Sequence, residues 1–436
     1  MGSGQDLYKQ AKKRIPGGTQ LLSKRPEMFL PDQWPSYYER ARGIEVWDLD
    51  GRRYLDMCYN GVGACILGAA DPDVDVAVKE VLSRGNMSTL NCPEEVELAE
   101  LLCELHPWAD QVRYARSGGE AMAVAVRIAR AATGRDIVAF CGYHGWHDWY
   151  LAANLANEKG LDGHLLPGLE PTGVPRGLRG TAYPFTYNNL AELDVIIQSS
   201  NGRLAAVVME PIRSQEPDHD FIRGVRERAS QLGAVLIVDE ITAGFRLSCG
   251  GAHLVYGPEP DIAVFAKGIS NGYPMAAIIG RAEVMEAAQK TFISSTYWTD
   301  RIGPTAALAT ICKHRHHRVH EHLQRVGAAV QSGWRQEAQS AGLPIRIDGI
   351  KPLGHFTIEH AKTQAARTLF TKLMLDRGFL ATPAFYATFA HTDRHVDDYL
   401  DAVRAVFPMI KKTLDEDTVE KTIGGPEAHT GFRRLA

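Results

Sequence analysis

The 436-residue sequence predicts an α/β protein with a mostly parallel sheet, and three runs carry that prediction. Residues 204–209 (LAAVVM), 234–238 (AVLIV) and 262–266 (IAVFA) are apolar at every position, the pattern of strands buried on both faces. Each run stops abruptly at a charge: Glu210, the pair Asp239 and Glu240, and Lys267. Parallel strands bring their carboxyl ends to one edge, where open α/β sheets bind ligands. Taken singly, each charge could equally be a solvated strand end, since charged side chains are mostly exposed. A chain of this length exceeds one ordinary core, so two unequal lobes are expected.

Composition narrows the function classes. Hydrophobic residues at 45% and charged residues at 23% are those of a globular protein. A net charge of -4 leaves no basic excess for nucleic acid, and no basic amphipathic stretch suits a membrane surface. Small molecules are the expected partners, with no nucleic acid and no membrane. The seven cysteines (Cys58, Cys65, Cys92, Cys103, Cys141, Cys249 and Cys312) are scattered and form no CxxC pair. Neither a disulfide framework nor a cysteine zinc site is expected, which suits a reducing compartment. The start of the chain lacks a charged segment followed by an apolar one, and no run reaches membrane-span length, so a cytoplasmic location is expected.

In chain order, residues 6–14 read as a helix stopped by Pro16, Gly17 and Gly18, and an irregular arm rich in aromatics and proline follows to Tyr38. Asp50-Gly51 between alternating runs is a hairpin signal. Residues 93–105 open behind a proline with acidic residues in the first turn, as helix N-termini prefer. Residues 112–115 are a plausible strand, and Ser117-Gly118-Gly119 precedes an Ala-rich helix over 120–132. Small residues there leave backbone N–H groups able to grip an anion, although an ordinary helix cap reads the same way. Strand 137–140 runs into a stretch containing Tyr143, His144, Trp146, His147, Trp149 and Tyr150, which gives either flat pocket walls for a planar ring or a structural aromatic cluster. Residues 157–179 are rich in Gly and Pro and could form a lid. His316 and His320 stand at i and i+4, but the neighbouring arginines repel a cation, so no metal is expected. Beyond Gly349 an α+β region begins with 353–358 and continues with helices over 364–377 and 396–414; the polar tail 415–436 is expected to be peripheral.

An amine and a carboxylate on one sheet edge suit pyridoxal 5'-phosphate, which needs a Lys for its Schiff base and an anion at its pyridinium nitrogen. Further motifs in order are Ile15-Pro16-Gly17-Gly18, Val46-Trp47-Asp48-Leu49-Asp50-Gly51-Arg52, Ser117-Gly118-Gly119-Glu120-Ala121, Tyr143-His144-Gly145, Glu210-Pro211, Asp239-Glu240-Ile241, Gly244-Phe245-Arg246 and Ala390-His391-Thr392. With this ordered set, residues 8 to 407 resemble the class III aminotransferase family of fold-type I pyridoxal-phosphate enzymes, in particular its glutamate-1-semialdehyde aminomutase-like branch.

The resemblance implies a large domain over 59–315 with a mostly parallel seven-stranded sheet flanked by helices. It also implies a small C-terminal α+β domain over 316–436, with an N-terminal arm and hairpin (1–58) packing on the small domain. It implies that Lys267 holds the cofactor and then moves the 1,3-proton, while Asp239 keeps the ring nitrogen protonated. Ser117, Gly118 and Gly119 would hold the phosphate, Tyr143 would stack on the ring, Ile241 would press on its other face, and Glu210 would sit near its polar edge. Ser295 and Thr296 stand where the family takes phosphate ligands from a second subunit, which implies a homodimer with shared active sites.

Three departures alter the pocket walls: Gly119 in place of Thr, Trp298-Thr299-Asp300 in place of a small Ser-Gly-Asn, and Gln215 where an Asn is common. The expected activity is transfer of an amino group from an amino-acid donor to an aldehyde or ketone of a polar substrate, with an amino sugar as one candidate. The alternative is an isomerase (epimerase or 2,1-aminomutase) using the same Lys267 chemistry, with Cys92, Tyr143 and His147 as candidates for its second acid. A third reading, a non-catalytic binding protein on the same fold, is disfavoured by the intact Lys267 and Asp239.

Overall fold

The computed structural model describes all residues except 1, 158, 165, 166, 213, 219, 258 and 432–436. The chain divides into two units, Met1–Asp71 with Glu321–Ala436, and Pro72–His320.

The first unit opens with a helix, Ser3–Lys12, and an antiparallel meander of β1 (Tyr38–Arg42), β2 (Glu45–Asp48) and β3 (Arg53–Met57). The Asp-Gly signal marks the β2–β3 turn: Asp48 Oδ1 accepts from Asp50 N (3.0 Å) and Arg52 N (2.9 Å), and Gly51 takes φ +78°.

In the second unit, β4 (Gln111–Ala115), β5 (Ile137–Cys141), β6 (Ala182–Pro184), β7 (Leu204–Met209), β8 (Val235–Asp239), β9 (Ile262–Phe265) and β10 (Ala276–Gly280) form one sheet in the order β4-β10-β9-β8-β7-β5-β6. Neighbours from β9 to β6 are parallel, and β10 runs against both β9 and β4. Six strands therefore point the same way. Why unbroken apolar runs form these strands is visible in their alternation. Ala206 and Val208 of β7, with Val235 and Ile237 of β8, pack under the helix Gly118–Thr133 through Ala121, Ala125 and Ile128. Val207, Met209, Leu236 and Val238 face the opposite layer, where Leu193, Phe221 and Val225 of the helices Leu190–Ser200 and Phe221–Leu232 meet them. With both faces covered, the interior positions of β7 and β8 are apolar, and each buried aliphatic side chain contributes about 1.5–3 kcal/mol.

The rest of the first unit adds β11 (Ile345–Asp348), β12 (Leu353–Ile358), β13 (Phe379–Ala381) and β14 (Ala384–Tyr386). The strands β11-β12-β14 form a small sheet, and β13 extends the N-terminal meander, parallel to β3. Helices Thr363–Asp376 and Asp393–Asp415 complete this α+β arrangement. The tail is docked rather than peripheral: Val419 and Ile423 are fully buried, and Ala428 N donates to Thr368 Oγ1 at 3.0 Å. Arg318, at φ +50°, separates the helices Ile302–His317 and Val319–Ala341, so the i, i+4 spacing of His316 and His320 does not fall within one helix. Among the described residues no cluster of His, Cys, Asp and Glu is fit to hold a metal, and no helix is long and apolar enough to cross a membrane.

Candidate active site

The carboxyl edge of the large sheet gathers the charged strand ends. β8 and β9 are parallel neighbours with Asp239 opposite Val264, so Asp239 and Lys267 leave the same edge side by side. Glu210 follows β7 on the other flank of β8, and Tyr143 comes two residues after β5. Ser117 leaves this edge too, because β4 and β9 both run opposite to β10.

Asp239 is 3% exposed. Its Oδ1 accepts from Ile241 N (3.0 Å) and its Oδ2 lies 2.7 Å from His144 Nδ1. The other ring nitrogen of His144 faces the Cys141 carbonyl oxygen at 3.0 Å. A carbonyl only accepts, so Nε2 carries a proton, and the short Nδ1 contact holds one more, shared between imidazole and carboxyl. Burial pushes the Asp239 carboxyl up from its ordinary value, while the His144 hydrogen bond and charge pull it back. The next residue, Glu240, faces a different network. It accepts from Ala252 N, His253 N and His253 Nδ1 at 2.9, 2.9 and 2.7 Å, which pins the 250–253 loop.

Lys267 is half-buried with φ +50°, a left-handed conformation that a non-glycine residue holds only when its surroundings fix it. Its Nζ donates to Thr242 Oγ1 at 2.9 Å. Thr242 is three residues beyond Asp239, so one short segment contacts both charged groups of the pair.

Ser117 caps the helix Gly118–Thr133 and is exposed. Glu120 Oε2 reaches back to accept from Arg116 N (3.0 Å) and Ser117 N (3.3 Å). A Cβ on Gly118 would lie 2.8 Å from Ile241 Cδ1, and one on Gly119 would lie 3.1 Å from His147 Nδ1. A side chain on Gly118 would displace Ile241 and one on Gly119 would crowd His147, so both side chains lie close to the positive end of the helix dipole. Glu210 Oε2 accepts from Tyr143 N at 3.0 Å and sits against Gly142, whose φ of +111° and lack of a side chain permit the approach. A cavity of about 420 Å³ adjoins these two residues, lined also by His164, Thr186, Tyr187, Glu192 and Gln215.

The structure therefore brings Lys267, Asp239, Ile241, Glu210, Tyr143, Ser117, Gly118 and Gly119 to one sheet edge. Ser295 and Thr296 are exposed, and among the described residues no hydrogen bond joins them to Ser117, Gly118 or Gly119 of their own chain. Their segment is held by Arg116, which pairs with Asp300 and donates to the carbonyl oxygens of Trp298 (2.8 Å) and Asp300 (3.0 Å). His144 and Thr242, the partners of the two charged groups, escaped the sequence reading as site residues. Positions 158, 165 and 166 of the expected lid lie outside the described residues.

The donors fit pyridoxal phosphate: a buried carboxyl for the ring nitrogen, an amine on the same sheet edge, an apolar wall at Ile241, and a helix N-terminus whose backbone N–H groups and dipole favour a phosphate. Residues 31–406 match the class-III aminotransferase family model. The 3-aminobutyryl-CoA aminotransferase of Cloacimonas acidaminovorans is 30% identical over 421 residues, covering 94% of this chain and 97% of that protein. The 2'-deamino-2'-hydroxyneamine transaminase of Streptomyces kanamyceticus is 33% identical over 382 residues, 86% of this chain and 92% of that one. The FumI protein of Sphingopyxis sp. MTA144, solved with pyridoxal phosphate, superposes with a TM-score of 0.86 at 25% identity, over 95% of this chain and 98% of that one. The chain belongs to the class III aminotransferase family and is a pyridoxal-phosphate-dependent aminotransferase.

Proposed function

We propose that the enzyme moves an amino group from an amino-acid donor to the aldehyde or ketone of a polar, hydroxyl-bearing acceptor of the amino-sugar class. The observation that carries the acceptor half is the cavity beside Tyr143 and Glu210, whose walls are hydroxyl, amide, imidazole and carboxylate groups among aromatic rings. Such walls match a polyhydroxylated ligand better than an aliphatic one. The 33% identity to a transaminase named for an aminoglycoside precursor supports the same reading.

When bound, pyridoxal phosphate supplies an electrophilic carbonyl carbon and a ring that accepts negative charge. In this proposal the chain's own residues do the rest. Lys267 gives the amine that anchors the cofactor and then takes and returns the proton at the substrate carbon. Its hydrogen bond to Thr242 and its fixed backbone limit where that amine can swing. Asp239 keeps a proton at the ring nitrogen, and His144 holds the carboxyl in one orientation with a proton already within the pair. Ser117, Gly118 and Gly119 hold the phosphate at the helix N-terminus, Tyr143 and Ile241 flank the ring, and Glu210 stays at its polar edge. Ser295 and Thr296 reach the phosphate of a partner copy, so the working unit is a homodimer in the cytoplasm.

The test adds an amino donor alone to purified holoenzyme. The proposal expects conversion to the pyridoxamine form with stoichiometric oxo-acid release, followed by recovery when a hydroxylated aldehyde is added and little recovery with an aliphatic aldehyde of equal length. An isomerase would release no oxo-acid. Equal use of the two aldehydes would sink the acceptor assignment.

A further inference from the structure

Gly119 contributes no side chain to the helix N-terminus, and the space where one would stand is filled from another loop. A Cβ there would lie 3.1 Å from His147 Nδ1 and 3.2 Å from His147 Cε1. Gly145, at φ +101°, lets that loop approach so closely that its own Cβ would lie 3.1 Å from the Gly119 Cα. Trp146 stacks on the imidazole at 4.3 Å and 25°, which fixes the ring plane. His147 Nδ1 is buried, and among the described residues it has no hydrogen-bond partner. Native structures rarely leave such a nitrogen unpaired unless something else binds it. Burial pulls the His147 pKa below its ordinary value, against the opposing charges of Glu120 and Asp148. A neutral ring can still donate from this nitrogen.

We propose that His147 is a ligand of the cofactor's phosphate, its Nδ1–H supplying the side-chain donor that Gly119 lacks. This rests on reading Ser117, Gly118 and Gly119 as the phosphate cup. The Trp146 ring, 70% exposed, then serves as the outer brace of that ligand.

The test measures pyridoxal phosphate affinity by equilibrium dialysis of the apoenzyme, the ³¹P resonance of the holoenzyme, and the apoenzyme melting temperature. His147→Ala should weaken affinity about tenfold, the loss of one hydrogen bond to a charged group, and move the ³¹P resonance while leaving apoenzyme melting unchanged. His147→Asn, which keeps a donor, should recover part of the affinity. Gly119→Thr in the His147→Ala background, where the clash is gone, should recover it by placing a hydroxyl on the helix itself. An unchanged affinity and ³¹P resonance in His147→Ala overturns the proposal, as does a loss that tracks a lowered apoenzyme melting temperature and that neither second variant repairs. Wild-type enzyme failing to bind pyridoxal phosphate would instead overturn the reading of the cup itself.

Discussion

Asp239 is held between two opposing effects: burial favours its neutral form, and the imidazole 2.7 Å away favours its charge. A carboxyl so placed exchanges a proton over a short distance without reorganising solvent, which is what the role proposed for it at the ring nitrogen requires. Asp239→Asn keeps the shape and removes the exchange. It should still bind cofactor but slow proton abstraction by several orders of magnitude, as read by rapid mixing with donor, and unchanged rates would reduce Asp239 to a structural strand end. The sequence names His144 within its motif and within the aromatic stretch after β5, with no role toward Asp239. Its pairing with Asp239 depends on the chain turning back after β5, across β7, and no local pattern encodes that meeting.

At the scale of elements, β7, β8 and β9 were legible because a doubly covered strand must be apolar at every position. The short edge strand β6 ends in Pro184, and β10 was missed because an AAIIG run carries little periodicity. β10 is antiparallel for a physical reason. β9 ends at Phe265 and β10 starts at Ala276, too short a connection for a parallel crossover helix. The long helices over 94–105 and 118–133 were legible through their caps. Those over 72–83, 190–200 and 221–232 were not singled out, since their mixed faces resemble surface loops until the sheet they cover is known. Gly118 belongs to this scale because it governs how the helix meets the segment after β8. Gly118→Ala puts a methyl 2.8 Å from Ile241 Cδ1 and should lower stability by about 1–3 kcal/mol, with Ile241→Val restoring much of it. A melting temperature unmoved by Gly118→Ala would show that the glycine is not there for clearance.

For the molecule as a whole, three buried histidines set the response to acid. Burial pulls His391 down to about 3 and His106 and His314 down to about 4. Backbone contacts fix the neutral form of two of them. His391 Nδ1 accepts from Thr388 N at 2.9 Å, and His106 Nε2 accepts from Gly251 N at 3.1 Å, so a second proton would set donor against donor. All three bind protons less readily folded than unfolded. The stability they contribute is complete above about pH 6.5 and is lost as pH falls toward 4, at about 1.4 kcal/mol per group per unit. Asp56, raised to about 6 by burial, works in the opposite direction over a narrower range. Urea unfolding from pH 7 to 4.5 should show a steep decline, and His391→Asn should flatten it; an identical slope in that variant would mean His391 is protonated when folded. The proposed dimer gives a separate whole-molecule prediction. If Thr296 of one copy grips the phosphate of the other, Thr296→Ala weakens cofactor affinity by about 1–3 kcal/mol and makes cofactor retention fall on dilution. Sedimentation of the apo and holo forms over a concentration series reads this, and equal dimer affinity in both forms would place the phosphate site within one subunit.

The most direct measurement concerns Lys267, because one amine, just beyond the end of the strand beside that of Asp239, carries two proposed tasks. Lys267→Ala, reconstituted with pyridoxal phosphate and mixed rapidly with an amino donor, should lack the absorbance band of the lysine-bound cofactor and release no oxo-acid on a timescale at which wild type finishes its half-reaction. A normal band with wild-type oxo-acid release from that variant would contradict the account, since no other amine contacts Thr242 beside Asp239 among the described hydrogen bonds.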